Sequence, residues 1–91
     1  MRNDRFEGFS IFDDKGEVKR LVDLLVRQKD PDVTLEGMRK MDYSYIFTLT
    51  KRDESVEIEI LRPEIEESWD WRNDKIDPLL QKKIDDAIAD L

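Results

Sequence analysis

Tyr43-Ser44-Tyr45-Ile46-Phe47-Thr48-Leu49-Thr50, then Lys51-Arg52-Asp53-Glu54, then Ser55-Val56-Glu57-Ile58-Glu59-Ile60-Leu61 is the stretch that decides the fold. Apolar and polar side chains alternate on both sides of a four-residue charged tip, which is the period of two strands joined in a hairpin. With Thr50 set opposite Ser55, Leu49 faces Val56, Phe47 faces Ile58 and Tyr45 faces Ile60, so Tyr43 and most of the large apolar groups share one face. Thr48 with Glu57, Ile46 with Glu59 and Ser44 with Leu61 fall on the other. A slip of one residue would turn Glu57 and Glu59 into the core, so the pattern strongly specifies its register.

A helix is predicted on the N-terminal side of this hairpin. Asp14 and Glu17 have the spacing of a capping box, and Val18, Leu21, Val22, Leu25 and Val26 then recur at helical spacing. Lys19, Asp23 and Arg27 follow one another at i, i+4 on the polar side. Asp30-Pro31 stops the run, because the residue before proline avoids the helical region. A second helix starts at Asp77-Pro78, an N-cap followed by proline at the first helical position. Its stripe is Leu80, Ile84, Ala87, Ile88 and Leu91, with Lys82, Lys83, Asp85, Asp86 and Asp90 outward.

The remaining segments are less strongly patterned. Phe6 to Phe12 reads as a strand with apolar residues on both faces, reaching the hairpin through a right-handed crossover. Over 32–42, Thr34 caps a short helix carrying Leu35, Met38 and Met41, although Gly37 costs about 1 kcal/mol there relative to Ala. Pro63 ends the hairpin or begins a short helix. Two apolar helix stripes require one apolar sheet face. The expected fold is therefore a single α+β domain over residues 1–91. It is a two-layer sandwich of about three strands, hairpin 43–50/55–61 at its centre, with two main helices at about 17–29 and 78–90 on one face. The order resembles part of a ferredoxin-like βαββα arrangement lacking its final strand, a likeness of fold order that carries no function.

Composition removes whole classes of chemistry. The 91 residues contain neither Cys nor His, which excludes disulfides, thiol nucleophiles, zinc sites of the usual kind and every histidine-assisted hydrolase arrangement. Serines 10, 44, 55 and 68 therefore have no imidazole base, and no glycine-rich phosphate loop is present. The chain is expected to be no enzyme and to take no cofactor. Its longest apolar-rich run, Leu21 to Val26, contains Asp23, so no membrane span is expected, and a soluble cytoplasmic protein is the default.

Charge is distributed unevenly. The formal net charge is −7, yet residues 1–52 carry 11 Lys/Arg against 10 Asp/Glu, while residues 53–91 carry 5 against 13. Between Asp53 and Asp74 nine acids stand against Arg62 and Arg72 alone. Direct nucleic-acid binding is disfavoured, since phosphate contacts require a clustered positive patch. The acidic stretch also holds both tryptophans, within Pro63-Glu64-Ile65-Glu66-Glu67-Ser68-Trp69-Asp70-Trp71-Arg72. Helical geometry would turn Trp71 about 200° from Trp69 and expose one ring, whereas extended geometry would send both into the core.

The expected function is a protein–protein interaction module for a basic partner, with Glu64, Glu66, Glu67, Trp69, Asp70 and Trp71 as its contact surface. Two alternatives are weighed with it. One is inhibitory mimicry of nucleic acid by the spaced carboxylates of 53–74. The other is weak divalent-cation binding by Asp13-Asp14, by Asp30 with Asp32, or by Asp70 with Asp74 and Asp77, none of which has calcium-loop spacing. The oligomeric state is monomer or a homodimer joined at sheet edges, against which the sequence shows no device.

Overall fold

The computed structural model describes residues 10–91, and in it the hairpin forms in the expected register. Strand β2 (Ser44–Lys51) pairs antiparallel with β3 (Glu54–Leu61), setting Leu49 against Val56, Phe47 against Ile58 and Tyr45 against Ile60. Tyr45, Phe47, Leu49 and Ile60 are fully buried. Tyr43 is not: it lies just before β2 and is 73% exposed.

The third strand comes from the segment read as a short helix. β1 (Thr34–Lys40) pairs antiparallel with β2, giving the order β1-β2-β3. A register shift between Leu35 and Gly37 is the reason the pattern misleads. The bulge adds one residue, so Leu35 and Met38, three apart, both land on the helix-covered face, opposite Leu49 and Phe47. A spacing of three mimics a helix when a bulge lies inside it.

The strand expected over Phe6 to Phe12 lies partly outside the described residues. Within them, Ile11–Asp13 is a 3-10 turn capped by Ser10, and both Ile11 and Phe12 are buried. The described sheet is thus a simple antiparallel meander with no crossover, which sets aside the ferredoxin-like order. Helix α1 (Lys15–Lys29) precedes it, and α2 (Arg62–Glu66) and α3 (Pro78–Ala89) follow. Asp14 caps α1 by accepting from the Glu17 N–H at 3.1 Å, and Asp77 caps α3 by accepting from Leu79 and Leu80.

The stripes of α1 and α3 bury Val18, Leu21, Val22, Leu25, Val26, Leu80, Ile84, Ala87 and Ile88 against one sheet face. Among the described residues no helix covers the other face, where Arg39, Thr48 and Glu57 alternate with the core-facing residues. The hairpin tip is tied back to α1 by Lys51, whose ammonium meets Asp30 at 2.7 Å. No helix among the described residues is long and apolar enough to cross a membrane.

Candidate protein-binding site

The acidic segment after β3 is organised around Ser68, a residue the sequence marked only as lacking a base. Its side chain is fully buried. The hydroxyl donates to the Glu64 carbonyl at 2.9 Å and accepts from the Asp77 N–H at 2.9 Å, joining α2 to the cap of α3. The chain between follows a run of tight turns. Trp71 N–H reaches the Ser68 carbonyl, Trp71–Asn73 form one 3-10 turn, and Asp74 ends it at a left-handed φ of 64°.

This geometry separates the two tryptophans. Trp71 is 7% exposed and joins the core, while Trp69 is 47% exposed. The Trp71 indole N–H is buried without a hydrogen-bond partner among the described residues. Its ring is covered by the Arg72 guanidinium, 4.3 Å from the ring centroid. Arg72 then reaches across to Glu17, with Nη1 to Oε1 at 2.5 Å and Nη2 to Oε2 at 2.8 Å. Arg20 adds a contact at 3.0 Å to the same carboxylate, which is buried on the first turn of α1. The hydrogen bonds to Glu17 hold the Arg72 proton more tightly than usual. Glu17 read as a capping residue; that its carboxylate anchors a turn 55 residues away is a tertiary fact.

The proposed contact residues divide accordingly. Glu64 is buried, not displayed: Oε1 accepts from the Leu61 N–H at 2.8 Å and from the Lys83 ammonium at 3.0 Å. Lys83, expected to point outward, also donates to the Glu59 carbonyl. Trp71 likewise faces inward. Glu66 is half-buried, and hydrogen bonds from Ser10 (2.6 Å) and Arg62 (2.8 Å) hold its carboxyl below the usual range. Asp70 accepts from the Asn73 amide at 2.8 Å. Glu67 is exposed and makes no ion pair among the described residues. What reaches the surface is Glu66, Glu67, Trp69 and Asp70 on one pinned turn.

Mimicry of a phosphate backbone requires free, spaced carboxylates, and Glu59, Glu64, Glu66 and Asp70 already accept hydrogen bonds within the chain. Among the described residues no group of three carboxylates converges on a point where it could hold a metal ion. Asp14 and Asp77 cap helices, Asp13 pairs with Lys40, and Asp30 pairs with Lys51, which holds its carboxyl below the ordinary value. Grooves of about 410 and 280 Å³ lie beside β1 and at the hairpin tip, and neither is lined by the 64–71 turn.

Compared with protein-family models, with curated proteins and with solved structures, the chain matches none. The functional reading rests on the geometry above.

Proposed function

We propose that this chain is a small protein–protein interaction module without catalysis of its own, which offers Trp69, framed by Glu66, Glu67 and Asp70, to a basic surface on a cytoplasmic partner. The observation that carries the reading is the opposite placement of the two rings. Trp71 completes the core, whereas Trp69 stands 47% exposed on a turn fixed by the buried Ser68. A large aromatic on a fixed base gains contact area at little ordering cost, the usual property of an interface anchor. A partner surface rich in guanidinium groups would complement the exposed carboxylate of Glu67 and the partly exposed ones of Glu66 and Asp70. The same acids repel phosphate, so direct nucleic-acid contact is left out of the proposal.

Affinity capture from the native host lysate, eluted with stepped salt, tests this. Wild type should retain a partner that Trp69→Ala loses, and Glu67→Lys should release it at lower salt, each variant being checked for folding by circular dichroism. Equal recovery by wild type and Trp69→Ala would remove the turn from the function.

A further inference from the structure

One face of the sheet lies against α1 and α3, and the opposite face carries no helix among the described residues. The strand pairings fix which side chains share that second face. Arg39, Ile46 and Glu59 form one row across β1, β2 and β3, and Gly37, Thr48 and Glu57 form the next. At the end of the face Ser44 is set against Leu61, and the Met41 N–H bonds to the Ser44 carbonyl at 2.8 Å, so Met41 continues this row on the β1 side. Met41 and Leu61 are 44% and 43% exposed.

Charge on this face is divided between its two sides. Arg39, on β1, is exposed and makes no ion pair among the described residues. Glu57 and Glu59, on β3, are exposed as well, and the Glu59 carboxylate accepts from the Ser44 hydroxyl at 2.7 Å. Arg39 and Glu59 stand two strand spacings apart, about 10 Å, with the half-buried Ile46 between them.

We propose that this face binds the same face of a second copy of the chain, about a two-fold axis that runs parallel to the strands over β2. The division of charge selects both the occupant and the axis. Rotation about that axis lays β1 of one copy over β3 of the other and keeps each row at its own level along the strands. Arg39 then faces the partner's Glu59, and symmetry repeats the pair on the other side. Met41 faces the partner's Leu61, and Ile46 meets the partner's Ile46 on the axis. Gly37 has no side chain, which leaves room over it for the partner's Glu57. A two-fold axis running across the strands would instead stack β3 on β3, setting Glu57 and Glu59 against their own copies. The dimer is an aligned sandwich of two sheets with the helices outermost. This inference is independent of the Trp69 surface, which lies on a different segment.

Sedimentation of the full chain from micromolar to sub-millimolar concentration is the test. Wild type should approach twice its 10.9 kDa mass. Ile46→Glu sets two carboxylates against each other on the axis and should leave a monomer with an unchanged circular dichroism spectrum. Arg39→Glu and Glu59→Arg should each weaken self-association roughly tenfold. Mixed in equal amounts, these two variants should associate with each other, because every pair across the interface is then of opposite sign. That recovery has no explanation in loss of folding, and it decides the matter even where Ile46→Glu fails to fold. A wild-type monomer at every concentration, a dimer that survives a folded Ile46→Glu, or folded charge variants that do not associate when mixed would each overturn the proposal.

Discussion

Tyr45 shows how much one side chain carries in a core this small. It is fully buried, its hydroxyl donates to the Phe12 carbonyl at 2.6 Å, and its ring meets Phe12 edge-on at 4.9 Å. Burial, reinforced by the negative charges of Asp13 and Asp14, pushes the phenol up from 10.0 to about 12. The folded state thus binds this proton more tightly than the unfolded chain. Its contribution is complete below about pH 10 and is lost as pH rises toward about 12. Alkaline denaturation should show a fall in stability across that window, flattened in Tyr45→Phe. At neutral pH that variant should be about 1 kcal/mol less stable, because the Phe12 carbonyl loses its donor. The tryptophans give a second contrast. Trp71→Ala should cost about 3–5 kcal/mol in a denaturant titration, and the more exposed Trp69→Ala less. Burial of Trp71 is also why a binding assay with Trp71→Ala reports on folding and one with Trp69→Ala reports on the surface.

Among the elements, those with end signals and regular periods were legible in the sequence. Asp77-Pro78 starts α3 where expected, and Asp77→Ala should lower stability by about 1 kcal/mol in the same titration. Asp14 caps α1 as its spacing implied, and Asp30 ends it. β1 was not legible, because its bulge converts the strand period into a helical one at Leu35 and Met38. The 3-10 turn at Ile11–Asp13 was hidden for a related reason, since three residues are too few to display any period. The turn at Trp71–Asn73 depends on a contact instead. Arg72→Ala should take two hydrogen bonds from the buried Glu17 carboxylate, costing about 1–3 kcal/mol and loosening the turn, readable as faster amide exchange at Asp74. If Arg72→Ala is neutral, the turn does not depend on this contact.

The described residues form a one-sided sandwich whose sheet, helices and turns share one cluster of buried side chains. β2 lies at the centre of that arrangement, paired on both sides. Hydrogen exchange should accordingly find the Phe47 amide opening only with global unfolding, while the amides of Met38 and Lys40, which by antiparallel alternation from the Met41–Ser44 bond face away from β2, exchange faster. The Lys83 contact is a property of the assembled molecule: its ammonium is placed on the Glu59 carbonyl only because α3 packs back beside β3.

By itself the sequence determined the hairpin and its register, both long helices, their caps and the α+β class. Each of these is encoded locally, by a period, a cap or a proline, and a slip in any of them would bury charge or waste a helix end. Tertiary structure alone decided which tryptophan is outside and which acids are spent inside. Glu17 with Arg72, Glu64 with Lys83 and Ser68 with Asp77 join residues that no local pattern relates. Such contacts form only when separate elements are brought together by the burial of their apolar faces, so the surface they leave free is a product of packing.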